Sequence, residues 1–339
     1  MTHLRTCPLS GRTTLLSTTR HHRPHDYRVE ERRLHDVDCP FCPGSGADTE
    51  QERSRLTSPD GARWSVRIVD NRYPAVMEDA RAATAPADDH PLFPSGEACG
   101  RHEVVIESPV HEHRWSTMGE EHLSGLLQVV GERVAWLCGM AGAEHVTWFR
   151  NSGSLSGGSL RHPHSQLIAT PFVPAHVGRR AEGARRWWSD HGTGYFEQLV
   201  AAELERGVRV VAATRHFVLL APWAPRQAHE TVVLPLRRQP RFGALPHEER
   251  RDLARLLHRA SCAYERAFSL RGMNVVLQQA PIGAADAADF WCWHLELIPR
   301  NGAIGGLELG TGTHLVSTAP EESARILRAG LAALAQEVA

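Results

Sequence analysis

Apolar residues recur along this chain at two spacings, and each spacing predicts a different element. Alternation, or a short apolar run bounded by turn residues, predicts strands over 64–70 (WSVRIVD), 103–107, 146–149, 166–172, 208–213, 217–221, 231–236, 274–279 and 291–299. Helical spacing links Leu123, Leu126, Leu127, Val130, Val134 and Leu137, and again Leu253, Leu256, Leu257 and Ala260 behind Pro246. Thr117 and Glu120 have the spacing of a capping box, in which both side chains satisfy free N–H groups of the first turn. Residues 179–205 read as helix with a break at 192–194, and a last helix begins near Thr318 and Pro320. Residues 80–96, rich in Ala, Pro and Asp and without period, read as a mobile loop. Strands and helices come in groups rather than in βαβα alternation. That predicts an α+β fold with mainly antiparallel sheet.

One stretch of this pattern is echoed by another. His162-Pro-His164-Ser-Gln166 closes a Gly/Ser-rich loop and opens a strand, and Cys292-Trp-His294-Leu-Glu296 lies in a later strand with the same period of two. In each, three polar residues share one face; in the second, Trp291, Trp293, Leu295 and Leu297 take the other face, as core. The echo predicts a degenerate duplication with one site kept and one changed, divided into residues 1–178 and 179–339.

Bulk properties narrow the choice of partners. A chain of 339 residues suits two domains or one duplicated unit. A formal net charge of -1 argues against nucleic acid or an anionic membrane surface, yet allows one phosphate ester held by local Arg residues. The chain has no apolar run of transmembrane length, and its N-terminus lacks the apolar core of a secretory signal. The 7 Cys are scattered, which does not read as a disulfide framework and points to a reducing cytoplasm. With 21 His, a lone histidine carries little weight. The Gly-rich sequences that usually cradle phosphates, GxxxxGK[ST] and GxGxxG, are absent.

Chemistry concentrates in residues 151–166, NSGSLSGGSLRHPHSQ. Gly and Ser let a backbone approach a ligand closely and offer N–H and hydroxyl groups to phosphate oxygens. A strand histidine such as His164 can present one ring nitrogen as nucleophile while a carbonyl holds the other. Gln166, two residues on, shares its face and could donate to a phosphoryl oxygen. Separately, Cys39-Pro-Phe-Cys42 has a spacing that serves a redox pair, half a zinc site or two plain thiols. Zinc would need two further ligands, for which His111 and His162 are candidates. Arg20 and Arg23 flank two His before Pro24, a cluster suited to phosphate but more often a solvated face.

Together these motifs resemble the galactose-1-phosphate uridylyltransferase family, a branch of the histidine-triad superfamily, over nearly the whole chain. The matching segments are RTCPLSGRTTLLSTTRHHRP, CPFCPG, VRIVDNRYPAV, GRHEVVIESPVH, GGSLRHPHSQLIATPFVP, WCWHLELIPR and GGLELGTGTH. CPFCPG and LELGTG look closer to the bacterial type related to ADP-glucose phosphorylases. The resemblance implies two histidine-triad-like halves, each a half-barrel of antiparallel strands with outer helices. It implies His164 as nucleophile, Gln166 as its phosphate-stabilising partner, and one structural Zn2+ held by Cys39, Cys42, His111 and His162. Asn71, Tyr73 and Asn151 would meet the nucleotide or order its loop, and Ser159 would meet phosphates. Arg20 and Arg23 would reach phosphates, across the interface of a homodimer, and His294 would sit on the substrate side.

The implied activity is ping-pong transfer of a nucleoside monophosphate between a nucleotide sugar and a sugar 1-phosphate. The alternatives are phosphorolysis or hydrolysis of a nucleotide sugar or dinucleotide, a reassigned biosynthetic step, or a nucleotide-binding regulator. The chain departs from the family at Cys7, at Cys292 (where His is usual) and at His314. Arg237 and Arg238 stand where some members place a further metal ligand, so a second metal site is expected to be lost or altered.

Overall fold

A computed structural model describes residues 2–17, 39–45, 50–58, 61, 63–78, 92 and 98–337. Arg20, Arg23 and, apart from Leu92, the expected loop over 80–96 lie outside these residues. Ten strands form one sheet. The first five are β3 (Glu52–Thr57), β4 (Trp64–Asp70), β5 (Arg101–Ile106), β6 (His145–Ser152) and β7 (His164–Thr170). The second five are β8 (Val210–Ala213), β9 (Phe217–Leu220), β10 (Thr231–Pro235), β11 (Met273–Gln278) and β12 (His294–Pro299). The order across the sheet is β3-β4-β5-β7-β6-β11-β12-β10-β9-β8, and each pairing is antiparallel.

From each edge inward the order is the same: three consecutive strands, then the fifth, then the fourth. A long helix falls at the same point of each set, α1 (Glu120–Cys138) after β5 and α4 (His247–Ala267) after β10. The echo between the two polar triplets therefore sits on a repeated topology. The two sets meet where β6 pairs with β11, from Met273↔Ser152 to Val276↔Phe149. The division between 178 and 179 falls inside α2 (Ala175–His191).

Helices α1 and α4 pack on each other and on the sheet, and α7 (Pro320–Glu337) packs on α4. Beneath them lies an apolar core in which Trp148 stacks on Phe242 and Phe242 meets Trp293 edge-on. A smaller sheet pairs β1 (Thr2–Thr6) with β2 (Thr13–Ser17), and β2 in parallel with β13 (His314–Val316). The remaining helices are α3 (Tyr195–Arg206), α5 (Ala287–Phe290) and α6 (Gly306–Thr311). Among the described residues no helix is long and apolar enough to cross a membrane.

Most expected strands occur within a few residues of their predicted bounds, and β4 has the same bounds. The helical break occurs at Gly192, which ends α2 in the left-handed region at φ 68. Two expectations are corrected. Thr117 and Glu120 form no capping box: the residue before α1 is Gly119, without a side-chain cap, and the Thr117 hydroxyl donates to the Arg114 carbonyl. Cys292 lies outside a strand, because α5 ends at Phe290 and β12 begins at His294. Trp291 and Trp293 are nevertheless fully buried.

Candidate active site and metal centre

Strand β7 sorts its residues by period two. Leu167 and Ala169 enter the core beneath α1, and His164 and Gln166 face the other way. The neighbouring strands supply the rest of that face, with Ile106 opposite His164 and both Val104 and Phe149 opposite Gln166. A cleft of about 520 Å³ opens over it, lined by His164, Gln166, Asn71, Tyr73, His102 and Ser159 among others. That volume lies within the range of small-ligand and cofactor sites.

The His164 ring is 7% exposed, and its Nδ1 donates to the His162 carbonyl at 2.8 Å. A carbonyl only accepts, so Nδ1 carries the proton and Nε2 keeps its lone pair. Burial pushes the His164 pKa down, opposed by the His162 carbonyl and Glu107, so the ring is neutral at neutral pH. The Phe41 ring lies 5.2 Å from the His164 ring. Residues 107–108 clamp this stretch: the Glu107 N–H donates to the Pro163 carbonyl at 3.0 Å, and His162 Nε2 donates to the Ser108 carbonyl at 2.7 Å.

Around His164, polar groups are held individually. Gln166 Oε1 accepts from His102 Nε2 at 2.8 Å. Asn71 Oδ1 accepts from the Tyr73 N–H at 2.8 Å, an Asx turn that leaves Tyr73 83% exposed at the rim. Asn151 and the Gly/Ser loop are tied to β11, where Asn274 Nδ2 donates to Asn151 Oδ1 and to the Ser156 carbonyl, each at 2.8 Å. Gly153 has φ +87, and a Cβ there would lie 2.4 Å from the Arg271 carbonyl oxygen. Only glycine meets both conditions.

Cys39, Cys42, His111 and His162 converge, with ligand atoms all within 4.8 Å of one another. Cys42 Sγ lies 3.4 Å from His111 Nδ1 and 3.6 Å from His162 Nδ1. A tetrahedral ion at ~2.3 Å from sulfur and ~2.05 Å from nitrogen gives S···N edges of about 3.5 Å. The donor set therefore fits a metal of zinc's size and ligand taste. The Ser108 carbonyl holds the proton of His162 on Nε2 and turns the Nδ1 lone pair toward the thiols. Burial, then Cys39, pushes the Cys42 thiol pKa up, a penalty that a bound divalent cation removes. This cluster can hold a metal ion two residues from His164.

His294 lies apart from the cleft. From β7 to β12 is three strand spacings, roughly 14 Å. Its Nδ1 donates to the Cys292 carbonyl at 3.0 Å, as His164 does to His162, but its Nε2 accepts from Arg180 at 2.6 Å. Arg180 also pairs with Glu296 at 2.8 Å, and Arg226 spans Glu296 and Glu230 at 2.8 and 2.7 Å. Burial, then Arg180, pushes the His294 pKa down to about 3. Burial alone would raise the Glu296 carboxyl, but Arg226, Arg180 and His294 hold it well below the usual carboxylate range. Arg237 and Arg238 are exposed and pair with Glu249 and Glu197. Arg180 and Arg226 are the cations beside His294 and Glu296.

Sequence reasoning thus located His164, Gln166, Asn71, Tyr73 and Ser159, which share the cleft, and the four metal-site residues, which cluster. It missed His102, Phe41, Arg180 and Arg226. His102 had a signal, since extending the strand of 103–107 by two residues places 102, 104 and 106 on one face.

A strand histidine with a free Nε2, facing a nucleotide-sized cleft beside a Cys/His cluster on a duplicated antiparallel α+β fold, defines a narrow class. The chain belongs to the galactose-1-phosphate uridyl transferase family, whose N-terminal domain model matches residues 1–174. It is 26% identical over 330 residues to an ADP-glucose phosphorylase of Arabidopsis thaliana (96% of this chain, 92% of that protein). It is 25% identical over 335 residues to a galactose-1-phosphate uridylyltransferase of Thermotoga maritima (97% and 98%). The solved structure of an Arabidopsis thaliana ADP-glucose phosphorylase with bound ADP-glucose superposes with a TM-score of 0.82 at 25% identity, covering 97% of this chain and 99% of that one.

Proposed function

We propose that this protein is a nucleotidylyltransferase that carries a nucleoside monophosphate on His164. The Nε2 lone pair attacks the α-phosphorus of a nucleotide sugar, and the bond from that phosphorus to the bridging oxygen breaks. Sugar 1-phosphate leaves with the electron pair. The imidazole is then cationic, and the His162 carbonyl, already accepting from Nδ1–H, stabilises that charge without a proton transfer. In the second half-reaction a phosphate oxygen of the acceptor attacks the same phosphorus, and the P–N electron pair returns to Nε2. Gln166 donates to a non-bridging oxygen in both steps, while Ser159 and the Gly/Ser loop hold phosphates.

The carrying observation is the His164 geometry: proton fixed on Nδ1, lone pair on Nε2, cleft in front. Asn71 and Tyr73 take the nucleotide side, and Asn151 acts by ordering the loop. Zinc, one per chain, fills the Cys39, Cys42, His111 and His162 cluster and holds the Phe41 knuckle against His164. A homodimer in the cytoplasm, with Arg20 and Arg23 reaching phosphates, completes the reading, as does a division into two histidine-triad-like halves. His294 has no substrate role in it, because Arg180 occupies its Nε2.

The acceptor has two candidates. A sugar 1-phosphate is the acceptor in uridylyl exchange, and inorganic phosphate is the acceptor in phosphorolysis. Similarity to the Arabidopsis phosphorylase favours giving both an equal trial. The test is intact-mass measurement after incubation with UDP-glucose or ADP-glucose. A nucleotidyl mass increment, discharged by one of the two acceptors and absent in His164→Gly, supports the reading. Nucleotide sugar turnover in His164→Gly at the wild-type rate would sink it.

A further inference from the structure

A carboxamide presents a carbonyl on one side and an NH2 group on the other, and rotating it by half a turn exchanges them with little change in shape. Gln166 can donate to a phosphoryl oxygen only in one of these orientations. Its setting is decided from the neighbouring strand β5, by a residue to which the family resemblance described above assigns no role. The backbone N–H of Ala75 donates to His102 Nδ1 at 3.0 Å. A backbone N–H is never an acceptor, so Nδ1 holds a lone pair, and in a neutral ring the proton must be on Nε2. Nε2 lies 2.8 Å from Gln166 Oε1. Burial pushes the His102 pKa down, which keeps the ring neutral.

We propose that His102 is a positioning residue for nucleotidyl transfer: its Nε2–H, set by the Ala75 N–H, pins the Gln166 carbonyl and turns the Gln166 NH2 toward the cleft. The proposal rests on the reading of Gln166 as the phosphoryl-oxygen donor. The same tautomer assigns Asn71. Its Oδ1 is taken by the Tyr73 N–H, and its Nδ2 lies 3.2 Å from His102 Nε2, where two N–H groups face each other and no bond forms. Both carboxamides therefore spend their oxygens on the protein and keep their NH2 groups for a ligand. The cleft floor becomes a set of donors, which suits phosphate oxygens and other acceptor-rich groups.

Two measurements test this. The first is independent of turnover: long-range 1H–15N correlation of the His102 ring in the resting full-length protein at neutral pH, assigned by its loss in His102→Phe or His102→Gln. The Nε2–H tautomer is expected, and the Nδ1–H tautomer overturns the proposal. The second is single-turnover adduct formation with saturating UDP-glucose or ADP-glucose. His102→Phe should slow it roughly 10-fold with KM little changed, less than the roughly 100- to 1000-fold expected for deleting the donor itself in Gln166→Ala. His102→Gln, whose NH2 can still reach the Gln166 carbonyl, should recover most of the rate. In the Gln166→Ala background His102→Phe should cost nothing further. Full rate in His102→Phe, or additive losses in the double variant, overturns the proposal. Should His102→Phe not fold, the tautomer and the His102→Gln rate still decide it. Absence of any adduct in the wild-type protein would instead strike the transfer reading, leaving the pinning of Gln166 to the tautomer measurement.

Discussion

His164 and His294 begin equivalent strands in two repeats of one topology, and each donates from Nδ1 to the carbonyl two residues back. They differ at the other nitrogen. In front of His164 Nε2 is a cleft; against His294 Nε2 is the Arg180 guanidinium. A duplicated strand and histidine can thus serve reaction in one half and cohesion in the other. The change needs only a cation from α2 and a carboxylate, Glu296, to balance it. The second half gives up an open Nε2 and gains a buried ion cluster of Arg180, Arg226, Glu230 and Glu296.

The largest expected effect breaks the comparison outright. His164→Gly should abolish the nucleotidyl adduct while the protein still folds and binds nucleotide sugar, whereas His294→Gln should retain the adduct. A mass increment that disappears with His294 instead would reverse the roles assigned to the two histidines. Next, the Cys/His cluster belongs to the first half alone among the described residues. Zinc removal by chelator should lower the melting temperature by roughly 10 °C or more and free Phe41 from His164. Less than about half an equivalent of metal in carefully purified protein would count against a structural ion.

Arg180→Ala sharpens the contrast from the other side. It leaves Glu296 with Arg226 and Gln278 only and strands the His294 lone pair in the core, which should cost about 3–5 kcal/mol by urea denaturation. Adduct formation at His164 should persist below the transition. A loss under about 1 kcal/mol would show that the cluster does not depend on Arg180.

The smallest effect is a pH dependence. Burial pushes His145 down to about 4 and, with Arg180, His294 down to about 3. Below about pH 6.5 the unfolded chain binds protons that the native chain refuses. The stability these groups contribute is therefore complete above that pH and declines as pH falls toward 4 and 3. Urea midpoints should drop across this window, and His145→Gln should flatten part of the slope. An unchanged slope would mean that His145 is protonated in the native state.

What the sequence revealed follows from which interactions are local. The alternation in WSVRIVD placed β4 within its observed bounds, because Val66 and Ile68 enter the core while Arg67 between them is held by Glu52 of β3. Strand β3, ERSRLT, was not foreseen, because an edge strand with Arg and Glu on both faces carries no apolar period. The places of His164, Gln166 and the CxxC were legible from short spacings. Arg180 was not, since it reaches His294 from a helix 114 residues away in the chain. The capping box failed because the spacing matched but Gly119, not Thr117, precedes the helix. His102 was missed by a strand begun two residues too late.

The seam between β6 and β11 has a consequence during synthesis. Asn151 and Asn274, bonded across it, are 123 residues apart. At ~5–20 residues per second the growing chain presents β6 for roughly 6–25 s before its partner is made. Throughout that interval β6 is an open edge able to pair with any neighbouring chain. The Asn274 tethers of the Gly/Ser loop are complete only when the late partner docks. The loop ahead of His164 is therefore not fully held until β11 of the second half has been made. Ribosome-arrested chains ending near residue 260 should accordingly exchange freely the β6 amide protons that face β11, and the finished chain should protect them.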